Sequence, residues 1–87
     1  MNFIMQQLIN QKVNSINEHD FLQLAQKQGY TLSHEQATQI LKIVHAQKVD
    51  VGNKAQIEQI VQRLKRETDP QVATIVEDLF QQYSHLL

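Results

Sequence analysis

The chain contains no cysteine among its 87 residues. That excludes a disulfide framework and any thiolate metal site, and it fits a reducing cytoplasm. There are two glycines and one proline, so the sequence has few helix breakers and cannot build a glycine-rich phosphate loop. Charge of either sign is not in excess: eight Lys and Arg stand against nine Asp and Glu, for a net charge of −1. A chain so balanced has no global field to steer it toward nucleic acid or anionic lipid. No apolar stretch approaches the roughly 20 residues needed to cross a bilayer. The N-terminal "MNFIMQQLIN" lacks the basic region and long apolar run of a signal peptide, so the expected location is the cytoplasm, without a membrane partner.

What is present fits one globular domain spanning 1–87. Hydrophobic residues make up 41% and charged residues 20%, a composition that argues against disorder. A chain of this size buries roughly 60–65% of its unfolded surface, enough for one core and too little for two.

Apolar periodicity predicts helices throughout. The first covers about 2–13, with Ile4/Leu8 and Met5/Ile9 as i, i+4 pairs on one broad face. The second begins at an Asn17 cap, with Asp20 three residues on and Ile16 and Phe21 as a hydrophobic staple. Gly29 supplies the left-handed residue that ends it, and Tyr30 is expected to fold back on Leu24 and Ala25. The third opens on a Ser33/Gln36 capping box, carries Ala37, Ile40, Leu41 and Val44 at i, i+3, i+4, i+7, and is expected to end near Gln47. A short extended piece follows at Val49–Val51. The fourth is capped by Asn53 and carries Ile57, Ile60, Val61 and Leu64. The fifth starts at Asp69-Pro70, a strong start signal, and carries Val72, Ile75, Val76, Leu79, Phe80 and Tyr83. The fold expected is all-α, a compact bundle of about five short helices. If "YTL" and "VDV" paired between helices, the arrangement would be EF-hand-like without calcium.

Two motifs invite chemistry and fail on spacing. His34-Glu35 is the first half of the zinc-protease signature, which needs a second His one turn later. That position is Thr38, and His45, eleven residues on, lies ~16 Å along the helix axis. Two such histidines cannot share one ion. The plainer reading puts Glu35 in a first turn favoured by the helix dipole and leaves His19, His34, His45 and His85 as surface residues. From Asp50, a calcium loop needs oxygen ligands at 52 and 54, where Gly52 and Lys54 stand. No catalytic residue, cofactor-binding residue or metal ligand is assigned, and the chain is expected not to be an enzyme.

Two binding readings remain. Lys42, Lys48, Lys54, Arg63, Lys65 and Arg66 tilt the middle of the chain toward basic, and "NKAQIEQ" presents Asn53, Lys54, Gln56 and Gln59 as a reading helix would. A helix-turn-helix nucleic-acid module is thus the alternative. Its net charge and long connector weigh against it. The preferred reading is a non-catalytic protein-binding module. On the fifth helix Ile75, Leu79, Val76, Tyr83, Phe80 and Ala73 span ~160°, more than the ~100° stripe of an ordinary surface helix. Either this helix is the centre of the bundle, or Phe80, Tyr83, Leu86 and Leu87 form an exposed surface for a protein partner, most simply a second copy in a two-fold dimer.

The order of a short N-terminal helix, "DFLQLAQKQGYTLSHEQATQILKIV", "VDVGNKAQIEQIVQRL" and "TDPQVATIVEDLFQQY" resembles a family of small uncharacterised proteins of Gram-positive spore-forming bacteria, known only as a domain of unknown function. The resemblance covers nearly the whole chain. "VDVGN" departs from the Asn/Ile-rich turn expected there. The resemblance implies a small bacterial helical protein and carries over no catalytic residue.

Overall fold

Helix-starting side chains lie where the sequence expects them. Asn17 accepts from Asp20 N–H at 2.8 Å. Ser33 and Gln36 cap each other reciprocally, and Asn53 accepts from Gln56 N–H. Asp69 accepts from Gln71 N–H at 2.7 Å, just ahead of Pro70. These caps satisfy backbone donors that a first helical turn otherwise leaves unpaired. The computed structural model describes the backbone of residues 3–84 and the side chains of 3–82. It contains five helices: α1 (Phe3–Ser15), α2 (Glu18–Lys27), α3 (His34–Val44), α4 (Lys54–Glu67) and α5 (Pro70–Ser84).

Helix ends follow local chemistry. After α2, Gly29 adopts φ 91°. Tyr30 N–H then bonds to Ala25 C=O and Gly29 N–H to Gln26 C=O, the paired bonds of a Schellman motif. α1 runs to Ser15, two residues past the expected end, because Asn14 and Ser15 turn their side chains back onto the carbonyls of Asn10 and Gln11. α3 stops at Val44, before the expected Gln47, with His45 as its C-cap.

α4 and α5 form an antiparallel hairpin and share the largest helix–helix contact; α3 packs on both α2 and α4. α5 is the central element. Val72, Ala73, Ile75, Val76, Leu79 and Phe80 are all buried. Across from it, Ile40 of α3 and Leu64 of α4 are the largest fully enclosed side chains. Ile16 and Phe21, the staple at the start of α2, join the same core. Tyr30 ties the α2–α3 connection to α5 through its hydroxyl, which donates to Asp78 Oδ2 at 2.8 Å. Among the described residues there is no strand, so "YTL" and "VDV" do not pair as an EF-hand's segments would. Likewise, no helix of the described residues is long and apolar enough to cross a membrane.

Candidate protein-binding surface

α1 is held by amides. Gln6, Asn10 and Asn14 recur every four residues and so line one side of the helix. That side lies along the extended segment Val49–Val51. Asn14 Oδ1 accepts from Val49 N–H at 2.7 Å, and its Nδ2 donates to Val49 C=O at 2.9 Å. Asn10 Oδ1 accepts from Val51 N–H at 2.7 Å. Gln6 Nε2 and Asn10 Nδ2 both donate to Asp50 Oδ1. From the opposite side Gln56 closes the segment, accepting from Asp50 N–H and donating to Lys48 C=O. The "VDV" segment is thus read as a strand edge by helix side chains, each able to donate and accept at once.

Gly52 leaves room for the Gln6 amide. A Cβ there would stand 2.4 Å from Gln6 Nε2, so a larger residue would push the Gln6 side chain aside. Asp50 collects three donors, and its carboxyl is held below the usual carboxylate range, first by the Gly52 N–H and then by Asn10 and Gln6.

Turning the amides inward fixes the rotation of α1. Ile9 and Val13 flank them and are buried, and Met5 packs partly against the core. Ile4 and Leu8 then point away from the body, and Phe3 sits exposed at the helix start. Their fractional exposures are 71%, 56% and 67%, the only large hydrophobics so exposed among the described residues. Sequence periodicity grouped Ile4 and Leu8 with Met5 and Ile9 on a single face. The structure splits that face, because hydrogen bonds to Val49–Val51 set the helix orientation as strongly as apolar burial does. The cue sequence reading missed is the four-residue amide spacing.

The expected C-terminal surface is corrected at Phe80. That ring is 8% exposed and belongs to the core, because α5 is enclosed by its neighbours. The side chain of Tyr83, and Leu86 and Leu87, lie outside the described residues. Phe80 also contributes to the floor of a shallow groove of about 240 Å³ between α4 and α5. Val51, Ile57 and Val61 complete that floor; Glu58, Glu77 and Lys54 stand at its edge. A separate, wholly apolar void of about 40 Å³ lies among Phe21, Ile40, Leu41 and Leu79, well below the ~150 Å³ that holds a benzene-sized ligand.

His34 and His45 have ordinary partners. His34 Nδ1 donates to the carboxylate of Glu18, which also accepts from Thr38 Oγ1 at 3.1 Å. These bonds, His34 foremost, lower the Glu18 pKa. They join the first turns of α2 and α3 at an exposed position. The Thr38 hydroxyl bonds to Glu18 and to the His34 carbonyl, so it is not lined up on the imidazole as a nucleophile would be. His45 Nε2 bonds to Val13 C=O at 3.0 Å, tying the end of α3 to α1. Among the described residues no three His, Asp or Glu side chains converge on a point where a metal ion could sit.

Comparisons place this arrangement in a family. The model of the family described as "Protein of unknown function (DUF2624)" matches residues 1–84. The chain belongs to that family. It is also similar to the "Uncharacterized protein YqfT" of Bacillus subtilis (strain 168), with 22% identity over 81 residues, covering 93% of this chain and 96% of the relative. No solved structure matches the chain.

Proposed function

We propose that this member of a family of unknown function is a non-catalytic, cytoplasmic protein-binding module that works through the outer face of α1. The observation that carries the reading is the joint exposure of Phe3, Ile4 and Leu8. At roughly 150–250 Å² for a fully exposed large side chain, these three residues offer on the order of 350 Å² of apolar surface. Patches of that size on small proteins commonly mark contact sites. The amide ladder sets the rotation of α1 on the body and so which of its residues face outward.

Tyr83, Leu86 and Leu87 stay in the proposal as a second candidate partner surface. The bacterial relative supports the taxonomic side of the same reading, a family of spore-forming Gram-positive bacteria. Nucleic acid is set aside as a partner. Residues 45–53 join α3 to α4, longer than the turn of a helix-turn-helix unit, and Arg63 is engaged by Glu67 one turn away.

The test is quantitative capture. Wild type and an Ile4→Asp, Leu8→Asp variant are immobilised, and retained proteins are compared by mass spectrometry. Both substituted positions are exposed, so the fold is expected to survive. The reading requires a partner retained by wild type and lost by the variant; identical retained sets would refute it.

A further inference from the structure

α1 is attached differently from the other helices. α2 packs on α3, α3 on α4 and α4 on α5, one continuous set of helix–helix faces. α1 shares no comparable face with any of them. Its amides bond outside their own helix only to the short segment Val49–Val51. His45, at the end of α3, adds a bond to the Val13 carbonyl. Ile9 and Val13 are the buried side chains of α1, and Val13 forms one wall of the small apolar void, so its packing is incomplete. Docking also has a cost. Gln6 Oε1 is buried with no partner among the described residues, and water reaches it once α1 lifts away.

These attachments converge on residues 45–51, so losing them is one event. At the hinge, Ile16 is buried and Asn17 caps α2, so both stay with the body. Undocked, α1 is a helix of 13 residues with no acidic residue in its first turn, and such a helix is marginal in water. Its amides then exchange with solvent.

We propose that α1 is a latch that undocks and melts as one unit while α2–α5 stay folded. Opening uncovers a face absent from the closed form. The extended backbone of Val49 and Val51 loses its amide partners there, beside the apolar sites vacated by Ile9 and Val13. Only the inner side of α1 is involved, so the outcome is independent of what the outer face binds.

The experiment is native-state amide hydrogen exchange on the full chain, read residue by residue where exchange follows the opening equilibrium. Amides from Ile9 to Ser15 should share one opening free energy and exchange about tenfold or more faster than the slowest amides of α4 and α5. Two variants separate partial opening from complete unfolding. Leu64→Ala acts about 15 Å along α4 from its start at Lys54, in the part that stays folded when α1 leaves. It should speed the slowest α4 and α5 amides about thirtyfold or more and leave α1 within about twofold, because closed and open forms lose the same contacts. If that chain folds poorly, Ile60→Val, also buried in α4, should give the same pattern at smaller scale. Asn14→Ala, by contrast, should speed α1 and the core amides alike, by about tenfold or more, because both openings break the ladder. Equal acceleration of α1 and α5 amides by Leu64→Ala would overturn the proposal, since α1 would then open only with the whole fold. An α1 unmoved by Asn14→Ala would overturn it too, in favour of fraying that leaves the ladder intact.

Discussion

Asn14→Ala tests whether the amide ladder is what anchors α1. Asn14 forms a two-point contact with Val49, accepting at 2.7 Å and donating at 2.9 Å. Val49 is 2% exposed, so water cannot readily replace the lost partner. Alanine leaves a backbone N–H and C=O unpaired, at about 1–3 kcal/mol for each buried group. Alanine is also the better helix former by about 0.5–0.7 kcal/mol, which offsets part of the loss. The net expectation is a destabilisation of about 2–4 kcal/mol. Against a total stability of about 4–13 kcal/mol for a chain of this length, that is a severe change. With a urea m value of about 1 kcal/mol/M for a small domain, the unfolding midpoint followed by far-ultraviolet circular dichroism should fall by about 2–4 M. Ser15→Ala is the control. Its hydroxyl bonds only to Gln11 C=O at an exposed position, and its midpoint should move by less than about 0.5 M. Asn14→Asp sharpens the test, because it keeps the acceptor facing Val49 N–H but sets an oxygen against Val49 C=O. It should be at least as damaging as Ala at neutral pH. An Asn14→Ala midpoint within about 0.5 M of wild type, with m unchanged, would show that the ladder does not hold α1 in place.

Three further outcomes are expected. Gly29→Ala should destabilise by about 1–2 kcal/mol and lower the melting temperature measurably, because φ 91° suits glycine alone; nothing lies within 4 Å of the added Cβ, so the effect is conformational and not steric. Leu64→Ala removes a fully enclosed side chain and should cost about 2–5 kcal/mol in urea unfolding. Asp50 gives a pH signature: its folded pKa lies below the ordinary value of 3.8, so its contribution is fully present above that value and is lost as pH falls through the folded pKa. The stability difference between wild type and Asp50→Ala should therefore shrink as unfolding is measured at successively lower pH below about 4, and a difference that grows there would contradict the assignment.

Much of this architecture is legible in the residues. Asn17, Ser33 with Gln36, Asn53, and Asp69 with Pro70 mark four helix starts, because capping is a local bargain between a side chain and the next turn. Gly29 announces its own conformation for the same reason. The wide stripe of α5 has its plain explanation in central burial, including Phe80. What periodicity misread was α1. Apolar residues occur around most of that helix, so their spacing alone does not select a face. The selection comes from Gln6, Asn10 and Asn14, whose partners lie 35–44 residues away. Amides look like solvated surface until a distant backbone segment claims them. The exposed apolar patch was missed with it, since whatever turns Asn10 inward also turns Leu8 outward.

The distance between the ladder's two halves has a consequence during synthesis. α1 leaves the ribosome before Val49, Asp50 and Val51 do, and at ~5–20 residues per second the intervening stretch takes several seconds to follow. A helix of 13 residues is marginal alone in water. Through that interval Ile9 and Val13 have no core to enter, and Phe3, Ile4 and Leu8 are exposed beside them. The nascent segment is at that moment its most adhesive, with every apolar side chain of "FIMQQLINQKV" open to other chains. The arrival of "VDVG" sorts those residues into an inside and an outside in one step. An error in that short connection would thus be felt first as nascent-chain aggregation, ahead of any loss in the finished fold.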